Sequence, residues 1–123
     1  MLYTKRIHMS VHVIKKHISK DALAAIANED FGDMVKGVVD VAQEIMTLGG
    51  ELHIDGETVL ILHEGSLREH TWGINLYPGK SHTDWLEFDS MVNLKPALGN
   101  RSRGVENDEV QGKIRKIVDK LLP

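Results

Sequence analysis

Residues 31–50, FGDMVKGVVDVAQEIMTLGG, form the segment on which the architecture depends. Phe31, Met34, Val38, Val41, Ile45 and Leu48 recur at spacings of 3, 4, 3, 4 and 3. Asp33, Lys36, Asp40, Gln43 and Glu44 fill the intervening positions. A 3–4 repeat with polar residues opposite predicts an amphipathic helix of about five turns. Gly49-Gly50 would end it. The repeat covers fewer than three heptads, so it reads as a stripe covering a sheet rather than a coiled-coil seam.

N-terminal to this segment, Val11–Ile18 alternates loosely and predicts a short strand. Ser19 is a fitting N-cap, Asp21 suits the first turn, and Asp21–Ala27 is rich in Ala and Leu, so a helix is expected there. Asn28–Gly32 interrupts that helix. Residues 1–10 carry little pattern and read as a poorly ordered N-terminal segment, leaving 11–123 as a single α+β domain.

C-terminal to it the pattern changes. Thr58–His63 is a β-rich apolar run. Arg68–Tyr77 alternates, with Trp72, Ile74 and Leu76 on one side and Thr71, Gly73, Asn75 and Tyr77 on the other. Trp85–Lys95 alternates again: Leu86, Phe88, Val92 and Leu94 oppose Trp85, Glu87, Asp89, Met91 and Asn93. Three strands with short connections predict an antiparallel meander. After the loop 96–104, Val110, Ile114, Ile117, Val118 and Leu121 mark a last helix. The expected fold is α+β in two layers: an antiparallel sheet of three to four strands packed by the long helix and a C-terminal helix.

The 123 residues suit one domain. Cysteine is absent, which excludes disulfides, thiolate nucleophiles and Cys-based zinc sites. No apolar run nears the ~20 residues of a membrane span, and no signal peptide is evident, so a cytoplasmic protein without membrane contact is expected. The net charge of −3 is unevenly spread. Residues 1–20 are basic, 21–94 strongly acidic and 95–123 basic again. Such asymmetry can mark a nucleic-acid surface, but the acidic centre makes that partner the less favoured one.

Two places could carry chemistry. The outer sheet face gathers Asn75, Tyr77, Glu87, Asp89 and Asn93. It reads as a solvated face with cross-strand ion pairs, as a concave polar site, or as a dimer interface using Trp85, Tyr77 and Met91. Asn100, Arg101, Ser102 and Arg103, between Gly99 and Gly104, form a candidate anion-binding loop. Its guanidinium groups suit phosphate or carboxylate. No GxxxxGK[ST] signature is present.

Seven histidines raise the question of a metal, but HExxH is absent and no metal or other cofactor is expected. His63 and His70 would face each other only if Ser66-Leu67 were a hairpin turn. No serine lies in a GxSxG elbow. Glu87 and Asp89, two residues apart on one face, leave a small hydrolase as an alternative. An RNA-binding or RNA-cleaving toxin-like protein is another, by loose analogy of element order. The leading expectation is a binding or interaction module, a homodimer that takes a small anionic ligand.

Four stretches carry a resemblance: Gly32–Asp40 (GDMVKGVVD), Gly49–His53 (GGELH), Trp72–Pro78 (WGINLYP), and Asn93–Pro96 (NLKP) followed by Gly99–Ser102 (GNRS). Together they resemble a small bacterial and archaeal domain family of unknown function, over about residues 12–121. The resemblance implies no activity. It draws attention to Asp33, Lys36, Asp40, Trp72, Asn75, Asn100, Arg101 and Ser102 as motif residues.

Overall fold

The computed structural model describes residues 10–123; residues 1–9, most of the segment expected to be poorly ordered, lie outside that range. The elements are β1 (Val11–Ile14), α1 (Lys20–Glu29), β2 (Val35–Asp40), β3 (Ile45–Gly49), α2 (His53–Glu64), β4 (Thr71–Leu76), β5 (Leu86–Glu87) and α3 (Asp108–Leu121). The sheet order is β1-β3-β2-β4-β5, with every neighbouring pair antiparallel. The α+β class, the antiparallel sheet and the C-terminal helix are as expected. The sheet has five strands rather than three to four.

The long helix over 31–48 is replaced by the β2–β3 hairpin. Val35, Val38 and Val39 are β-branched, and Gly37 and Asp40 are poor helix formers, so local preference favours a strand. Val39 pairs with Met46 and Gly37 with Leu48. Both strands are buried on both faces: every residue of β3 and all but Lys36 of β2 are buried. A strand covered on two sides reads as a continuous apolar run and shows no period of two. The turn is built by a side chain. Asp40 Oδ1 accepts the N–H groups of Ala42 and Gln43 at 2.8 and 3.0 Å. Glu44 takes the left-handed conformation at φ 58°.

The expected strand over Thr58–His63 lies inside α2. Asp55 caps the start of that helix by accepting the Leu52 N–H at 3.0 Å, and Gly65 ends it at φ 70°. Of the apolar run Val59–Leu62, Leu60 seats α2 on the sheet by packing with Val38 and Ile45, Val59 and Ile61 are half-buried, and Leu62 is exposed. Gly56 makes the approach close, since a Cβ there would collide with Thr47.

Helices therefore cover both sheet faces. The larger core, on the first face, joins Leu23 and Ile26 of α1 and Ile114, Ile117, Val118 and Leu121 of α3 to Val35, Val39, Met46, Leu48, Ile74 and Leu76. Ser19 and Asn107 cap α1 and α3 through side-chain oxygens. On the second face α2 lies over β1, β2 and β3 more than over β4 and β5. That face is not the bare side implied by two layers. It is open only beyond the start of α2. No described helix is long and apolar enough to cross a membrane.

The strand expected over Trp85–Lys95 is two residues long. Trp85 turns into the first-face core instead of sharing a face with Glu87. From Met91 to Asn93 the chain forms a 3₁₀ turn. Asn93, fully buried, takes the place a continuing strand would hold. Its Oδ1 accepts the Gly73 N–H at 2.7 Å, and its Nδ2 donates to the Gly73 carbonyl at 3.0 Å. Gly73 has no Cβ to spare, because one would strike Ser90.

Candidate functional site

The open part of the second face holds a row of three residues across three strands. Lys36 on β2 pairs with Asn75 on β4, and Asn75 pairs with Glu87 on β5. Alternation turns all three side chains away from the first-face core. A cavity of about 580 Å³ lies over them, with His53, Tyr77 and Arg103 among its walls. Leu52, Ile54, Met91 and Val92 supply an apolar rim.

The polar groups are partly spent on one another. Glu87 Oε1 accepts from Asn75 Nδ2 at 2.9 Å and from the Tyr77 hydroxyl at 3.0 Å. Asn75 Nδ2 also donates to the Asp89 carbonyl. Arg103 Nε donates to Asp89 Oδ1 at 2.6 Å, so these two charges meet each other. Burial, and then the hydrogen bond to Glu87 and its charge, push the Tyr77 phenol up, which keeps it a donor. Among the described residues, Lys36 and Glu87 are in no ion pair. The Lys36 ammonium sits 5.2 Å above the Phe31 ring.

His53 opens α2, and its Nε2 lies 2.9 Å from the Ile74 carbonyl oxygen. A carbonyl only accepts, so Nε2 carries the proton and the neutral ring keeps its lone pair on Nδ1. Burial holds its pKa below the ordinary histidine value. The Lys36 charge acts in the same direction, and the Ile74 hydrogen bond opposes both.

Of the sheet-face candidates, Asn75, Tyr77, Glu87 and Asp89 line the cavity, whereas Asn93 lies beneath it as the clamp on Gly73. The loop candidates divide similarly. Asn100 is buried, donates to the Asn93 and Gly104 carbonyls at 2.7 and 2.8 Å, and accepts the Glu106 N–H at 2.8 Å. Its amide folds the loop and has little left for a ligand. Ser102 Oγ accepts the Gly104 N–H. Arg101 is exposed, and its backbone N–H is held by Glu106. Only Arg103 reaches the cavity.

Among the motif residues, Asp40 builds the hairpin turn, Trp72 is in the core and Asp33 is exposed. Lys36 gains its position only from the hairpin, and His53 only from α2. Lys36 could have been found by reading β2 as a strand, since its period-two partners Val38 and Asp40 mark the second face. His63 lies on α2 and His70 in the 3₁₀ turn before β4, so they do not oppose each other across a hairpin. Among the described residues no group of three or more His, Cys, Asp or Glu side chains is placed to hold a metal ion.

No curated protein and no solved structure matches the chain. The model of one family, described as protein of unknown function (DUF5674), matches residues 12–121. That span is nearly the whole sequence and contains every residue of the cavity just described, so the chain belongs to the DUF5674 family.

Proposed function

We propose that this protein is a binding domain for a small polar ligand, seated in the cavity over Lys36, Asn75 and Glu87. One observation carries the reading. Opposite charges stand at the two ends of one cross-strand row, unpaired, in a cavity within the usual size range of small-molecule sites. The anion-binding role shifts from the loop to Lys36, because Asn100 is committed to internal hydrogen bonds and Arg103 to Asp89.

Thermal unfolding against a broad set of small polar compounds tests this reading. At least one compound raises the melting temperature of the wild type, and Lys36→Met or Glu87→Gln cancels the rise. If no compound binds, the reading falls.

Self-association belongs to the same proposal. Met91 is 62% exposed on the cavity rim, and methionine is enriched where protein surfaces meet. Sedimentation velocity on the wild type and Met91→Lys is the check. A wild-type monomer at all concentrations removes the dimer.

A further inference from the structure

We infer that the ligand of this cavity is a short peptide of two or three residues with both termini free, its ammonium at Glu87 and its carboxylate at Lys36. This inference rests on the cavity reading above and adds the ligand's class.

The argument begins with what is left unmatched. Both donors that reach Glu87, from Tyr77 and Asn75, go to Oε1. Among the described residues Oε2 accepts no hydrogen bond, so it is free for a charged donor. The Lys36 ammonium sits over a ring and, among the described residues, makes no ion pair, although its charge reaches the Asp30 carboxylate. Asp89 differs, because its charge is answered by Arg103. The site thus presents one open anion and one open cation.

Separation decides among ligands. Lys36 and Glu87 are two strand positions apart across the sheet, about 9–10 Å between their Cα atoms. A single amino acid holds its ammonium nitrogen and carboxylate carbon only about 2.5 Å apart. An extended chain of two or three residues spans about 7–11 Å. Dicarboxylates and phosphates would set a negative group against Glu87. Polyamines would set a positive one against Lys36. A peptide with free ends offers both charges, and one of two or three residues is about as long as the spacing between the strand positions that carry Lys36 and Glu87. Leu52, Ile54 and Met91 on the rim are 57%, 42% and 62% exposed, which suits apolar side chains on the peptide.

The test is calorimetric titration of the full chain with Leu-Leu and Leu-Leu-Leu, each also in N-acetylated and C-amidated form, and with free leucine. At least one free peptide binds. Acetylation and amidation each weaken it by about tenfold, as loss of a charge-assisted contact should. Free leucine binds more weakly than the peptide. Glu87→Gln removes the penalty for acetylation only, and Lys36→Met the penalty for amidation only. Caps without effect overturn the inference. So does failure of both peptides to bind while some other compound stabilises the wild type but not Lys36→Met; the cavity reading then survives and the ligand class is wrong. If no compound of any kind binds, both fall together.

Discussion

The hydroxyl of Ser66 donates to Asp40 Oδ2 at 2.6 Å, joining the turn of the β2–β3 hairpin to the second residue after α2. Gln43 strengthens the join, since its Nε2 reaches Asp40 Oδ2 at 3.0 Å and the Glu64 carbonyl at 2.9 Å. One buried carboxylate thus organises a turn that has no glycine or proline, and anchors a helix to it.

Asp40→Ala is expected to cost about 2–4 kcal/mol, because several donors lose their acceptor in a buried place. The pH dependence has a definite sign. Burial alone would raise the Asp40 pKa, but the hydrogen bonds from Ser66, Gln43 and Ala42 outweigh it and hold the carboxyl below the usual range. Its stabilisation is complete above about pH 4 and is lost as pH falls through the lowered value. Urea denaturation across that acid range should show the loss in the wild type, and a smaller loss in Asp40→Ala.

Asn93→Ala should destabilise the fold by about 2–4 kcal/mol as well, by stripping both backbone groups of Gly73 of their side-chain partner and the Arg103 carbonyl of one of its two donors, the Ser90 N–H remaining. Asn93→Asp keeps the acceptor for the Gly73 N–H but aims a charge at two carbonyls, and should cost at least as much. Hydrogen exchange at the Gly73 amide is the local readout, and unchanged protection in Asn93→Ala would contradict the clamp.

His53 gives a second, separate pH effect. Its folded pKa is depressed, so the native state resists a proton that the unfolded chain accepts. Stability contributed by the neutral ring is full above about pH 6.5 and declines as pH falls through the lowered value. His53→Gln keeps a side-chain donor for the Ile74 carbonyl and removes the titration. The gap between wild type and variant should therefore narrow, or reverse, on acidification through this window.

Asp30 behaves in the opposite sense. Among the described residues its two enclosed carboxylate oxygens have no hydrogen-bond partner, and burial followed by the nearby Glu29 charge raises its pKa. The ionised form is disfavoured in the fold, so this contribution to stability is greatest below about pH 4 and lost as pH rises through the raised value. Asp30→Asn should raise the melting temperature at neutral pH by about 2 °C, the shift that roughly half a kcal/mol produces at this chain length. The gain should vanish in acid, where Asp30 is already neutral.

The amphipathic elements could be read from the chain, and the elements enclosed on two sides could not. α3 shows its stripe because one flank meets the core and the other meets water. β4 shows alternation because Trp72, Ile74 and Leu76 enter a continuous core while Asn75 faces the cavity. Asn75, Tyr77, Glu87 and Asp89 could therefore be grouped from alternation alone. The hairpin gave a false period of 3.6 because the residues of the repeat serve two cores, Val41 and Leu48 the larger and Val38 and Ile45 the smaller. α2 gave a false strand because its apolar run is β-branched and its N-terminal signal, Asp55, precedes a glycine. Lys36 and His53 were hidden by those two errors, since a residue cannot be assigned to a face before its element is known. The Asn93 clamp left no local trace, because a side-chain amide standing in for a strand is a tertiary event.

The brevity of β5 also governs what the molecule can exchange with its surroundings. Opposite Gly73 the outer rail of β4 is occupied by an amide from the same chain, and opposite Asn75 and Leu76 by β5. A foreign strand thus finds no free backbone opposite Gly73, Asn75 and Leu76 of β4. What remains as the sheet edge on this side is β5, two residues long, and so short an edge offers little to pair with.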